Sequence, residues 1–279
     1  MRGFENIVIG KSSIPSLILT VLLMIALPVL FFLYGRKKKR QTKISWLIAG
    51  AVGFLVSARV LELGVHYCCI IADHPVSRFI NGNTAAFVLY GVTMAGVFEE
   101  CGRYVMLKYI LKQNRTRENA VLYGIGHGGI EILAVVLPSM ITYLMIAIQF
   151  SGGNTENALH ALNITEETAA SALPSVQAAA AFDYAAMSLN ILERLLAMLL
   201  HIGLTVIVYD GVTNAKKSRL PMAILLHMLM DTFPALYQRG LVSLWAVEGW
   251  EAVWTVIVVF IAVKLYEKMK GSSPTGRRS

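Results

Sequence analysis

The chain of 279 residues is 56% hydrophobic and 15% charged, whereas about a quarter of the residues of an ordinary soluble domain are charged, so the composition excludes that class in favour of a polytopic membrane protein. A mean hydropathy of +0.60 excludes a disordered chain, and three cysteines, Cys68, Cys69 and Cys101, are too few and too clustered for a disulfide framework or a structural zinc finger. The formal charge of +8 would suggest nucleic acid as the partner of a soluble protein; in a membrane protein it points first to cytoplasmic loops, and no nucleic-acid partner is expected.

The first apolar run, 14 to 34, is followed by Gly35 and the cluster Arg36-Lys37-Lys38-Lys39-Arg40, with no small-residue cleavage site. That order predicts a stop-transfer helix rather than a signal peptide. Apolar stretches long enough to cross a bilayer predict an all-α bundle of seven helices, at roughly 13–34, 44–72, 84–111, 119–149, 184–210, 219–236 and 243–266. The second contains Arg59 and Glu62, three apart and read as a buried structural ion pair, while His66 and His74 lie at or beyond its outer end as poor ligand candidates. Between the fourth and fifth helices, 151–183 carries Glu156, Glu166 and Glu167, no Lys or Arg, and His160 without a partner pattern. It reads as an extracytoplasmic loop with a short amphipathic helix; Asn163-Ile164-Thr165 matches the glycosylation pattern, which matters only in a eukaryotic secretory pathway. A basic tail occupies 267–279, and the whole chain reads as one integral membrane domain with a catalytic core at about 84–237.

Of the 25 basic residues, 18 fall in 36–43, 108–117, 216–219 and 264–278, which are alternate loops plus the C-terminal tail. The positive-inside rule then puts the N-terminus outside and the C-terminus in the cytoplasm, the pairing that an odd helix count requires.

Charge inside a bilayer is costly and marks function by default. The third helix carries Glu99, Glu100 and Arg103, the fourth His127 and Glu131, the fifth Glu193, Arg194 and His201, and the sixth His227 and Asp231. Counted from the predicted cytoplasmic ends, Glu99, Glu100, His127, His201 and His227 all lie ~12 to 18 Å deep, so four helices bring two carboxylates and three imidazoles to nearly one layer. Residues four apart share a helix face, which pairs His127 with Glu131, His227 with Asp231, and Glu99 with Arg103. A carboxylate behind an imidazole fixes its tautomer, and Arg103 can neutralise one of the two adjacent glutamates. Glu99 and Glu100, ~100° apart on the helix, cannot both face one point. Gly126, Gly128 and Gly129 would let a neighbouring helix or a substrate backbone come close to His127. Glu193 and Arg194 lie deeper, as supporting or purely structural residues. Facing histidines at one depth are also compatible with a membrane haem protein, and intramembrane acids with a proton- or ion-coupled transporter.

The EExxR run at Glu99–Arg103, the GHGGIE run ending at Glu131, the ERLLAMLLH run from Glu193 to His201, and His227 with Asp231 together resemble the YhfC type of bacterial membrane peptidase. That type falls within the wider group of CAAX prenyl endoproteases, bacteriocin-processing enzymes and PrsW-like proteases. The resemblance covers about residues 40–240. The wider group has EExxxR where this chain has EExxR, and FxxxH where this chain has Tyr123 before His127; its last motif, HxxxD, is matched by His227 and Asp231. The resemblance implies an intramembrane metalloendopeptidase of a bacterial cytoplasmic membrane, acting on a membrane-protein or lipid-anchored peptide. His127, His201 and His227 would hold a divalent metal, zinc first, and Glu99 or Glu100 would be the general base. Asp231 and Glu131 would orient the imidazoles and Arg103 would hold the second carboxylate. A metal-free, glutamate-activated water is the variant described for relatives.

Overall fold

The structure is a computed structural model that describes residues 3–37 and 42–270. Among the described residues every regular element is helical. Seven helices among those residues are long and apolar enough to cross a membrane: Ser13–Arg36, Ile44–Ile71, Thr84–Ile110, Arg117–Ser151, Tyr184–Thr213, Arg219–Gln238 and Leu244–Met269, here spans 1 to 7. Their number is the one expected, and their ends differ from expectation by a few residues. The last helix runs on to Lys270, so the basic tail starts later than residue 267; the rest of that tail, and part of the basic cluster after span 1, lie outside the described residues.

The segment 151–183 is more ordered than a loop. It holds two helices, Thr155–Ala161 and Glu166–Ala181. The second begins with a capping box in which Thr165 and Thr168 satisfy each other's backbone N–H groups, and Glu166 and Glu167 sit at its positive end.

The chain divides into two compact units. In one, Met1–Val29 with Ile132–Arg194, Phe4 stacks on Phe150 with ring centroids 6.3 Å apart, and Ile146, Leu159 and Val176 complete an apolar core. Ser13 Oγ donates to the Ala179 carbonyl at 2.6 Å, tying the start of span 1 to the helix Glu166–Ala181.

The other unit, Leu30–Glu131 with Leu195–Ser279, contains Glu99, Glu100, Arg103, His127, Glu131, His201, His227 and Asp231. Its core is built on Trp46, Leu122, Tyr123, Leu204, Ile207 and Val258. Apolar contact alone distinguishes weakly between protein and lipid, so helices in a membrane gain most from backbone proximity and polar ties. Spans 2 and 4 use the first: a Cβ added to Gly50 would strike the Tyr123 carbonyl, and one added to Gly126 would strike the Leu47 carbonyl. Glycines on both faces therefore let two backbones meet at the level of His127. Polar ties hold span 7: Arg117 donates to the Tyr266 carbonyl at 2.8 Å and lies over its ring, and Trp250 Nε1 donates to the Leu229 carbonyl at 2.6 Å.

Three spans depart from regular α geometry. Span 2 widens to π turns at Leu55–Glu62 and Tyr67–Ile71, span 3 at Met106–Ile110 and span 4 at Ile132–Val136. In span 4 the cause is visible in the sequence, since Pro138 has no N–H to return to the preceding turn. In span 2 the wide turn overturns an expected pair. Glu62 bonds His66 at 3.2 Å and Arg59 is exposed, because π bonding, i to i+5, moves a residue three along off the shared face. His66 also meets the Tyr90 hydroxyl at 2.9 Å. His74 serves as the N-cap of the helix Pro75–Gly82, accepting from the backbone N–H groups of Val76 and Ser77.

Candidate functional site

Span 3 supplies two carboxylates and a guanidinium, and the helical turn between Glu99 and Glu100 sends them to different partners. Glu99 Oε2 stands 3.0 Å from His127 Nε2 and 3.9 Å from His201 Nδ1. Glu100 Oε1 stands 2.9 Å from His227 Nδ1 and 3.4 Å from Arg103 Nη2. Glu100, Arg103 and His127 are 0% exposed, whereas Glu99 is 8% exposed, so Glu99 is the carboxylate of the pair that a small molecule can reach.

Arg103 pairs with Glu100, three residues earlier, and not with Glu99 on its i, i+4 face. Its other bonds go to span 5: Nη1 donates to the His201 carbonyl at 3.2 Å and Nη2 lies 3.1 Å from His201 Nδ1. A guanidinium can only donate, so Nδ1 of His201 accepts and its ring hydrogen sits on Nε2. That nitrogen faces Glu131 Oε2 at 2.5 Å. Glu131 was expected behind His127 on its own helix; the structure gives it to His201 instead, because the imidazole arriving from span 5 reaches its carboxylate.

Span 6 places His227 between two acids, with Nδ1 toward Glu100 and Nε2 3.5 Å from Asp231 Oδ2. Of the three same-helix pairs anticipated, His227 with Asp231 is present as anticipated. The three imidazoles form a row, with ring centroids 4.8 Å apart for His127 and His201 and 5.7 Å for His201 and His227. Phe54 packs edge-on against His127, centroids 5.1 Å apart, and Tyr123 lies on another side of it at 6.2 Å. Both aromatics are part of the site's wall. Tyr123 had a sequence signal, its place four before His127; Phe54 had none, being one more apolar residue in an apolar span.

The side chains of Glu131 and Asp231 are 20% and 31% exposed, while those around Arg103 are closed off, so the approach to the cluster is from the Glu131 and Asp231 side. Glu193 and Arg194 form an ion pair with each other and belong to the other unit.

Among the described residues one group of acids and histidines has ligand atoms close enough for a metal ion: Glu99, His127 and His201, all buried, within 4.8 Å of one another. One carboxylate with two imidazoles is a donor set that hydrolytic zinc accepts. His127 Nδ1 is a buried ring nitrogen with no hydrogen-bond partner. This group differs from the three imidazoles that the sequence suggested. His227 stands apart from it because both its nitrogens are turned to carboxylates.

A search of curated proteins finds a relative from Bacillus subtilis (strain 168), "Uncharacterized membrane protein YhfC", 29% identical over 230 residues, covering 82% of this chain and 85% of the relative. No solved structure matches the chain. The family described as YhfC intramembrane metalloprotease matches residues 23–250. Since that match runs through all four helices that bring Glu99, His127, His201 and His227 together, the chain, an integral membrane protein, belongs to the YhfC intramembrane metalloprotease family.

Proposed function

We propose that the protein is an intramembrane endopeptidase that hydrolyses a peptide bond in a membrane-embedded or lipid-anchored substrate, with Glu99 as general base. One observation carries this reading: Glu99 is a nearly buried carboxylate held by His127 at 3.0 Å, while its neighbour Glu100 is already engaged by His227 and Arg103. In the reaction Glu99 takes a proton from the attacking water, and a hydrogen bond from His127 keeps its carboxylate aimed. His227, held by Glu100 at Nδ1, exchanges its longer 3.5 Å contact with Asp231 so that Nε2–H donates to the oxygen on which negative charge develops. Glu99 then returns the proton to the departing amine. Arg103 fixes the tautomer of His201 and neutralises Glu100.

A divalent metal, zinc by donor type, would be held by Glu99, His127 and His201, and with it bound Glu99 would serve as a ligand; its role as base, aimed by His127, belongs to the metal-free site. Such an ion would supply Lewis-acid activation of water and of the substrate carbonyl. To serve as a ligand, His201 gives up one of its two contacts for the ion, the hydrogen bond from Arg103 at Nδ1 or the approach of Nε2 to the Glu131 carboxylate. The abundance of carboxylates among the imidazoles favours hydrolysis over haem binding, which has no use for Glu99 and Glu100.

The likeness of the four motifs to the wider CAAX-protease and PrsW-like group supports the same chemistry. The source of the relative supports a bacterial cytoplasmic membrane, and the basic residues of alternate loops support an N-terminus outside and a C-terminus inside. The test compares wild type with Glu99→Gln, His127→Ala and His227→Ala, each reconstituted with bacterial membrane proteins, and maps new peptide termini by mass spectrometry. Cleavage by wild type and its loss in all three folded variants is expected; wild-type cleavage by all three overturns the reading.

A further inference from the structure

Away from the Glu99 cluster, a second polar feature lies where three spans end. Span 3 ends at Ile110, span 5 ends at Thr213 and span 6 begins at Arg219, and between them is a half-open cavity of about 360 Å³ lined by Tyr104, Lys108, Lys216, Lys217, Val212 and Leu220, among others. All of these belong to one unit.

The polar side of the cavity is cationic. Lys108 is held in place: its Nζ donates to the Tyr104 hydroxyl at 2.6 Å and lies 4.9 and 5.2 Å from the ring centroids of Tyr104 and Tyr109. A hydroxyl that accepts from an ammonium keeps its own hydrogen to donate. Lys216 has an acid nearby, Asp210, at 3.7 Å. That carboxylate is almost wholly buried and is already bonded by Arg219 Nε at 2.8 Å and Asn214 Nδ2 at 2.7 Å, so it does not absorb the charge of Lys216. The turn between spans 5 and 6 brings Lys216 and Lys217 back over span 3: Lys216 N bonds the Gly211 carbonyl at 2.9 Å, and Ala215 takes a left-handed φ of 53° to make the reversal. Val212 and Leu220 supply an apolar side beside the charges.

Clustered lysines, a tyrosine hydroxyl and an apolar wall, at the level where helices leave the bilayer, match an amphiphile with an anionic head. We propose that this cavity binds a phosphate-bearing anion, the headgroup of an acidic phospholipid, with Lys108, Lys216 and Lys217 as counter-charges and Tyr104 as hydroxyl donor. Val212 and Leu220 would meet the glycerol and first methylenes of such a lipid.

The test uses the full-length protein, delipidated in a neutral detergent and examined by native mass spectrometry with phosphatidylglycerol, phosphatidylcholine or inorganic phosphate. Wild type is expected to retain phosphatidylglycerol over phosphatidylcholine, and each of Lys108→Gln, Lys216→Gln and Lys217→Gln to weaken that binding about five-fold. Lys216→Arg keeps the charge and should keep the lipid, which separates loss of the site from loss of fold. Lys264→Gln, at the end of span 7, should change nothing. Saturable binding of inorganic phosphate that the same lysine variants weaken, without phosphatidylglycerol, would support the anion site and assign a free phosphate as its occupant. Binding of phosphatidylglycerol unchanged when Lys108→Gln, Lys216→Gln and Lys217→Gln are combined in one chain, or binding of neither probe by wild type, overturns the proposal.

Discussion

Glu99 and Glu100 are consecutive, chemically identical and both buried, yet their surroundings assign them different work. Glu99 keeps partial access and faces imidazoles, while Glu100 is enclosed with a guanidinium. Glu99→Gln is therefore expected to leave the folded protein intact and to reduce proteolysis by about 10²–10⁴-fold, the usual worth of a general base. The complementary case is Arg103, which is fully buried and touches Glu100 and two atoms of His201. Arg103→Met leaves Glu100 with His227 but no guanidinium and strands the Nδ1 of His201, and removing one partner of a buried pair costs about 3–5 kcal/mol. Thermal unfolding in detergent with chelator present should show that loss, whereas Glu99→Gln should there unfold near wild type. Arg103→Lys restores a charge toward Glu100 but not the planar fork, so it should recover part of the stability and little of the activity.

At the scale of helices, the site depends on spans 2 and 4 meeting backbone to backbone. Gly126→Val places carbon where the Leu47 carbonyl stands. The helices must separate, at a cost of about 1–3 kcal/mol or more, and His127 moves with span 4. Gly64→Ala, where an added Cβ meets nothing within 4 Å, is the matched control and should unfold at the wild-type temperature. The failure of two expected same-helix pairs belongs to this scale as well. Residues four apart do share a face, but a face only makes a residue available, and the neighbouring helix determines what it bonds. Glu131 went to His201 on span 5, and Arg103 reached His201 while pairing with Glu100.

For the whole molecule, seven spans and the alternation of basic segments predict opposite sides for the two termini. In a variant freed of Cys68, Cys69 and Cys101, a membrane-impermeant maleimide applied to intact cells should label a cysteine placed at Asn154 and not one placed at Lys112. The reverse pattern would invert the topology. A resident metal adds a second global test, because a ligand bound by the folded state alone stabilises it by mass action. Chelator should lower the unfolding temperature of wild type, zinc should restore it, and His127→Ala should respond to neither.

The membrane class, the count and approximate limits of the spans and the shortlist of intramembrane acids and histidines could all be read from the amino-acid order. Hydropathy over about 20 residues is a local property, and the cost of charge in lipid makes each exception conspicuous. Expected depth brought Glu99, His127, His201 and His227 onto one layer, and the contacts between them are there in the structure. Apart from the His227–Asp231 pair, partner choice was not legible. That Glu99 joins His127 and His201 in one metal-sized group, that Glu100 takes the other nitrogen of His227, and that Phe54 walls the site all depend on rotations and close approaches between helices far apart in sequence. Those were decided by glycine contacts between spans 2 and 4 and by a single arginine that pairs with Glu100 on its own span while its fork reaches His201 on span 5.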